Sequence, residues 1–238
     1  MSNDTIDVFG IKYKKDNLDL KISRERYAII DKKNHFQKND QYLLSHGWHL
    51  RDKNKYEDSE YTYYSDEYCI KHQNDCLYNY DLNMAFFEKL DENEFNKVVN
   101  KIFNKFKNIY EINNLNEVNN ISGVYILVLQ EYKQIYVGES INVGRRIKQH
   151  WNRKKQFDRL IFGKIEDSIL SIDSFGPLDT KRIFVYESKY DRQEIEEKIV
   201  KYIPKYFLIN RTRGGSRGFD LESMKLDTIA NRNKRNLK

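Results

Sequence analysis

The chain has 238 residues and a formal net charge of +6. Hydrophobic residues make up 39% of it, and 18 Tyr, 13 Phe and 2 Trp supply large apolar surfaces, which excludes a chain disordered throughout. With only 10 Gly and 2 Pro, collagen-like and low-complexity architectures are excluded as well. The longest apolar run, Gly123 to Leu129, is far shorter than the roughly 20 residues that span a bilayer, so we expect no membrane segment.

The first 20 residues and the cysteine content bear on the expected location. The first 20 residues contain no apolar stretch, which predicts that no secretory signal is present. The chain has two cysteines, Cys69 and Cys76. Together these features favour a protein of the reducing cytoplasm.

Basic residues are concentrated in two segments of the C-terminal half. Residues 144–164 carry eight basic residues and one acidic residue, a net charge of +7. Residues 205–238 carry nine basic and three acidic residues, a net charge of +6, so the remainder of the chain carries −7. This distribution predicts a surface in the C-terminal half that binds a polyanion.

In chain order, the N-terminal half indicates a small α+β unit. Strands are predicted at Tyr27–Ile30, Trp48–Leu50 and Tyr61–Tyr64, and a short helix is predicted at Tyr42–Leu44, before Gly47. The strongest helical pattern runs from Asp91 to Lys107. Asp91 is its predicted cap, and its apolar face comprises Phe95, Val98, Val99, Ile102, Phe103 and Phe106.

The Asn-rich stretch Glu111–Asn120 predicts a domain boundary. After it, strands are predicted at Val124–Leu129, Ile135–Val137 and Arg182–Tyr186. One helix is predicted from about Asn142, and another from Asp191 to Pro204. We therefore predict an α+β fold in three parts: an N-terminal α+β domain at 1–118, a second domain at 119–215 and a basic extension at 216–238.

Arg146 and His150 are four residues apart on a predicted helix, so they share one face of it. Arginine grips phosphate oxygens with two hydrogen bonds, and histidine can donate a hydrogen bond or carry a proton near neutral pH. Tyr125 and Tyr136 lie on the two strands that precede this helix. These side-chain types favour phosphate chemistry.

Two tripeptides, Gly123-Val124-Tyr125 and Tyr136-Val137-Gly138, stand ten residues apart and precede Arg146 and His150. This compound pattern resembles the signature of the GIY-YIG nuclease superfamily over roughly residues 121–215. Valine replaces the family isoleucine in each tripeptide, which conserves the β-branched shape. The resemblance implies a three-stranded antiparallel sheet flanked by helices, and an endonuclease that cleaves phosphodiester bonds with one divalent metal ion.

The resemblance also implies a metal-binding glutamate on a later helix, followed by an aliphatic pair, Pro and Asn. Here Glu196, Ile199-Val200, Pro204 and Asn210 follow that order, so Glu196 is the expected ligand of Mg²⁺ or Mn²⁺. The helix to Pro204 is one residue shorter than a common family spacing. Asn210 lies several residues further past Pro204 than is usual in the family. Glu197 is therefore an alternative ligand, and Glu194 is a weaker one.

The implied catalytic residues are Tyr125, Tyr136, Arg146, His150 and Glu196. Arg146 is expected to hold the non-bridging phosphate oxygens, and Arg145 is the alternative if the helix register differs by one. Tyr125 is the implied general base, and Tyr136 and His150 orient or assist it. Since tyrosine has an ordinary pKa of about 10, this role requires a nearby cationic field, which the basic cluster Arg145–Lys155 can provide.

The expected partner is DNA, with RNA as an alternative substrate. Site-specific cleavage, as in restriction, phage defence or mobile-element spread, requires a homodimer or an added recognition surface, which residues 1–118 can supply. The competing hypothesis is a nucleic-acid-binding protein that keeps the fold without catalysis. The expected nucleic-acid contacts are Arg145, Lys148, Arg153, Lys154, Lys155, Asn210, Arg211, Arg213 and Arg217.

A second cluster of chemically active residues lies in the N-terminal half. His46, His49, Cys69, His72 and Cys76 provide enough nitrogen and sulfur ligands for a tetrahedral zinc site. Their spacing matches no common zinc finger, and packed or singly exposed side chains are the alternative.

Overall fold

The computed structural model describes residues 4–34, 55–60, 62–152, 157 and 164–211. Within these residues the chain forms two antiparallel sheets and four α-helices, joined by short 3-10 turns. In chain order the elements are β1 (Thr5–Val8), β2 (Ile11–Lys14), α1 (Asp66–Glu88), α2 (Glu92–Lys105), β3 (Ile109–Ile112), β4 (Gly123–Leu129), β5 (Gln134–Ser140), α3 (Val143–Asn152), β6 (Arg182–Glu187) and α4 (Arg192–Tyr202).

The helices predicted from Asp91, from about Asn142 and from Asp191 are confirmed. Asp91 caps α2, since its carboxylate accepts a hydrogen bond from the Glu94 amide at 2.6 Å. Asn142 does the same for α3, through the amide of Arg145 at 2.9 Å. Helix α4 ends at Tyr202, just before Pro204, as the missing amide hydrogen of proline predicts.

The main sheet has four strands in the order β3-β6-β4-β5, all antiparallel. The expectation of three strands is therefore wrong. The extra strand, β3, pairs with the outer edge of β6 and is fixed there by Arg182, whose guanidinium makes two hydrogen bonds of 2.7 Å to the Glu111 carboxylate. Because β3 lies at 109–112, the sheet draws on residues before the family-like segment.

Helices cover both faces of this sheet. All seven residues of β4 are buried, and they alternate between two cores. One core contains Tyr125, Leu127 and Leu129 with the apolar sides of α1 and α3. The other contains Val124, Ile126 and Val128 with Phe95, Val99 and Ile102 of α2 and Ile199 of α4.

The N-terminal elements differ from the sequence predictions. No strand forms at Tyr27–Ile30, where Ala28 has a left-handed backbone (φ 55°). At the predicted strand Tyr61–Tyr64, Tyr63 and Tyr64 form isolated bridges only, and Tyr61 is outside the described residues. The helix predicted at Tyr42–Leu44 and the strand at Trp48–Leu50 also lie outside them. The 23-residue helix α1 was not predicted.

None of the helices in the described part of the chain combines the length and apolar character needed to cross a membrane.

Candidate active site

A cleft of about 310 Å³ opens beside strands β4 and β5, helix α3 and helix α4. The five residues expected to be catalytic all line this cleft, although they come from four different elements. They are Tyr125, Tyr136, Arg146, His150 and Glu196. The cleft also contains Gly138, Glu139, Ser171, Ile172, Asp173, Ile209, Asn210 and Arg211.

The register of β4 and β5 explains the glycine of the second tripeptide. Tyr125 lies directly opposite Gly138 in this pair. A Cβ atom at position 138 would stand 2.5 Å from the Tyr125 hydroxyl oxygen, and 2.9 Å from a ring carbon of Tyr136. Glycine is required here because the Tyr125 side chain crosses over this backbone, with its ring centroid 6.0 Å from that of Tyr136.

Tyr125, His150 and Asp173 form a chain of hydrogen bonds. The Tyr125 hydroxyl is 2.7 Å from Nε2 of His150, and Nδ1 of His150 is 2.5 Å from Oδ1 of Asp173. Tyr125 and His150 are buried, with 1% and 2% exposure. The sequence analysis did not identify Asp173 as a site residue. The Ser171 hydroxyl accepts a hydrogen bond from the Asp173 amide, but a serine two residues before an aspartate is an ordinary turn pattern and does not mark a site.

Burial governs the protonation of both tyrosines. It raises the pKa of Tyr125 well above its usual 10, and the neighbouring Tyr136 adds to this, whereas the Arg146 guanidinium opposes it. Burial and the Glu196 carboxylate raise the pKa of Tyr136 to about 12. Among the described residues burial outweighs the Arg146 guanidinium, and Arg153, Lys154 and Lys155 of the basic cluster lie outside them. Tyr125 keeps its proton in the resting site.

Glu196 has the features expected of a cation ligand. It is 5% exposed, and its Oε2 atom is buried without a hydrogen-bond partner. Burial and the nearby Glu139 carboxylate raise the pKa of Glu196 to about 7. Glu139 is itself paired with Arg192 at 2.8 Å. A buried carboxylate oxygen with no protein donor, facing a polar cleft, fits a divalent cation.

The alternative glutamates lie on the solvent side of α4. Glu194 pairs with Lys198 at 2.6 Å, and Glu197 pairs with Lys201 at 2.8 Å. Neither lines the cleft. Of the three candidates, Glu196 alone has the position that a ligand in this cleft requires.

The residues expected to contact nucleic acid have different settings. Arg211 lines the cleft and donates a hydrogen bond from Nε to the Ile169 carbonyl at 2.7 Å. Asn210 is buried, and its side-chain amide bonds both the N–H and the carbonyl of Val137, as an added strand would. On α3, Lys148 is half-buried and Arg145 is exposed. Arg153, Lys154, Lys155, Arg213 and Arg217 lie outside the described residues.

The candidate zinc ligands that the structure describes all lie on α1. Cys69 and Cys76 are buried, and Cys76 Sγ is 3.5 Å from Nε2 of His72, which also lies 3.1 Å from the Phe157 carbonyl oxygen. Among the described residues, no three side chains of His, Cys, Asp or Glu are grouped so that they could hold a metal ion. His46 and His49 are not among those residues.

Comparison with known proteins found one family. Residues 121–202 match the model of the GIY-YIG catalytic domain. No curated protein and no solved structure matched the chain. The matched segment begins just before β4 and ends with α4, so it contains the five expected catalytic residues and also Asp173.

Proposed function

Because the chain carries a GIY-YIG catalytic domain at residues 121–202, a domain of endonucleases, we propose that the protein is a metal-dependent DNA endonuclease. The observation that carries the proposal is the convergence of Tyr125, His150, Arg146 and an unpaired Glu196 oxygen in one cleft. A protein that only binds DNA has no use for a buried carboxylate without a partner, which costs stability.

Glu196 would hold the cation, Mg²⁺ or Mn²⁺, which when bound neutralises charge on the phosphate and the leaving oxygen. Arg146 lines the same cleft and would hold the non-bridging phosphate oxygens, a contact that strengthens as negative charge develops. Tyr125 takes a proton from the attacking water while its own proton passes to His150. This concerted transfer avoids a free tyrosinate, which the raised pKa of Tyr125 disfavours.

DNA is the proposed substrate because arginines line this cleft and basic residues are concentrated in the part of the sequence that contains Arg146. Arg146 and Arg211 line it, and Arg145 stands at the exposed side of the same helix. The segment 144–164 as a whole carries +7. Such a surface binds a phosphate backbone with a strong dependence on salt concentration.

The proposal is tested by incubating the purified protein with supercoiled plasmid and Mg²⁺ or Mn²⁺. We expect nicked or linear DNA, and mapping of the cut ends reports whether cleavage is site-specific. Glu196→Gln should reduce the rate at least about 100-fold, since the neutral amide is a poor cation ligand. Glu197→Gln is the matched control, because Glu197 lies on the same helix but faces Lys201, and should cleave normally.

Three results would contradict the proposal. Wild-type activity in Glu196→Gln would remove the metal assignment. Salt-dependent binding of DNA without turnover in either metal would favour the binding protein instead. Turnover of single-stranded or duplex RNA in preference to DNA would change the substrate class.

A further inference from the structure

Asp173 lies against the ring of His150 on the side away from Tyr125. It belongs to a short 3-10 turn, Ile172–Ser174, that is distant from His150 in sequence. Its Oδ1 is 2.5 Å from Nδ1 of His150, and its side chain is 17% exposed. The opposite ring nitrogen, Nε2, is 2.7 Å from the Tyr125 hydroxyl.

The chemistry of the three groups determines the direction of these hydrogen bonds. An ionised carboxylate only accepts, so the proton between Asp173 and His150 belongs to Nδ1. In a neutral imidazole the other nitrogen then carries the lone pair, and Nε2 accepts the hydroxyl proton of Tyr125. With the other tautomer, Nε2–H would face the Tyr125 oxygen, and Nδ1 would face a carboxylate without a proton between them.

We propose that Asp173 is a positioning residue that fixes His150 in the Nδ1–H tautomer and so makes Nε2 the acceptor of the Tyr125 proton. This inference rests on the proposed endonuclease function. Asp173 touches neither the substrate nor the attacking water in this scheme, and it acts through the imidazole.

The step moves two protons within the site. The attacking water gives one proton to the Tyr125 oxygen as the Tyr125 proton moves to Nε2 of His150. The water oxygen forms its bond to phosphorus, the bond from phosphorus to the leaving oxygen breaks, and that oxygen takes a proton from solvent. The resulting imidazolium keeps its Nδ1 proton against Asp173, and it later releases the Nε2 proton to solvent.

The chain that leads into the Asp173 turn is held at residues 165 and 168 by α1, which lies outside the matched domain. On α1, the Asn79 amide donates hydrogen bonds to the carbonyls of Ile165 (2.7 Å) and Ser168 (2.8 Å). Asn83, one turn later, donates to the same Ser168 carbonyl at 3.0 Å. Both asparagines are buried. A carboxylate on an anchored turn can fix a ring orientation, whereas one on a loose loop cannot.

The first readout is the tautomer of His150, observed by long-range 1H–15N spectroscopy of the full chain and assigned with a His150→Gln variant. We expect the Nδ1–H form in the wild type. In Asp173→Asn, the amide can donate to Nδ1, so the Nε2–H form should appear. This readout requires neither DNA nor metal. A protein that cleaves no nucleic acid would contradict the proposed function, but the tautomer of His150 would still test the role of Asp173.

The second readout is plasmid cleavage. Asp173→Asn should lower kcat by roughly 10²-fold to 10⁴-fold, the scale seen when an aspartate that orients a catalytic histidine becomes asparagine, with KM for DNA changed less than about threefold. Asp173→Glu, which restores a carboxylate, should have a kcat at least about tenfold higher than that of Asp173→Asn. Glu166→Gln, on the exposed part of the same segment, is the matched control and should cleave as the wild type does.

Any of three results overturns the inference. The first is a wild-type His150 in the Nε2–H tautomer. The second is an Asp173→Asn variant that keeps the wild-type kcat. The third is an Asp173→Asn variant that loses activity without any change of tautomer. In that last case the role of Asp173 would be structural support of the turn.

Discussion

At the scale of single residues, Glu196 is a buried carboxylate that costs the folded protein stability. Its buried oxygen has no partner, and its pKa is raised to about 7 by burial and by Glu139. The other two glutamates of the helix each pair with a lysine one turn away, and Glu194 is exposed whereas Glu197 is half-buried. A buried carboxylate without a hydrogen-bond partner costs stability unless a bound cation neutralises it.

The raised pKa gives a prediction for the protein without metal. Between the ordinary pKa of 4.5 and about 7, the folded protein holds a proton on Glu196 that the unfolded chain has released. Glu196 therefore makes the folded state lose up to about 3 kcal/mol of stability as pH rises through this range, a contribution that Glu196→Gln lacks. We expect the free energy of unfolding of the wild type, measured in urea with EDTA, to fall relative to the variant from pH 4.5 to pH 8.

Divalent cations provide the control for this measurement. Mn²⁺ at pH 8 should raise the stability of the wild type and leave Glu196→Gln unchanged, since binding to the folded state alone stabilises it. Parallel pH profiles of wild type and variant would contradict the assignment of the shift to Glu196.

Two features at the residue scale explain which parts of the site could be predicted. Tyr125, Tyr136, Arg146 and His150 lie within a compact pattern, where strand alternation and the helical repeat place them on one side. Asp173 lies 23 residues beyond His150, and no local repeat connects the two. Its contact depends on the path of the intervening chain, which the sequence pattern does not specify.

At the scale of elements, helix α1 is the feature that sequence reasoning missed. Its buried residues are Cys69, Cys76, Asn79, Tyr80, Asn83 and Phe87. Two of these are asparagines, and Ile70 and Tyr78 on the same helix are exposed, so the apolar periodicity that marks α2 is absent. Asn79 and Asn83 are buried because they bind carbonyls of another segment. In the sequence, such asparagines look like residues of a solvent-exposed helix face.

The asparagine contacts of α1 predict a measurable role in stability and in catalysis. Asn79→Ala removes the donor to two carbonyls, those of Ile165 and Ser168, and should lower the free energy of unfolding by about 2 kcal/mol. Cleavage should also slow, because the freed segment carries Asp173. Asn74→Ala, at an exposed position of the same helix, controls for helix propensity, and it should raise the free energy of unfolding by no more than about 0.5 kcal/mol and leave cleavage unchanged. Equal effects of the two substitutions in denaturant unfolding would contradict this role.

At the scale of the whole molecule, the fold extends beyond the matched domain. β3 completes the sheet from before residue 121, and α2 covers one face of it with Phe95, Val99 and Ile102. On the other face, Leu115 and Val118 share a core with Tyr125. The segments on both sides of residue 119 thus contribute to the same two cores.

This sharing predicts the behaviour of a truncated protein. A fragment of residues 119–238 loses β3, α1 and α2, which exposes one edge of β6 and apolar surface on both faces of the sheet. We expect it to show no cooperative thermal transition by circular dichroism, whereas a fragment of 62–238 retains one. A cooperative transition of the shorter fragment, close to that of the full chain, would instead indicate an independent domain at 119–215.

The sequence by itself determined the elements that hold the five residues expected to be catalytic. Strands β4, β5 and β6 and helices α2, α3 and α4 follow from local periodicity, caps and breakers, which act over a few residues. The tertiary structure decided the fourth strand, the placement of α1 and the contact between Asp173 and His150. It also decided that burial keeps the proton on Tyr125, because solvent exclusion depends on everything packed around a group and not on its neighbours in the chain.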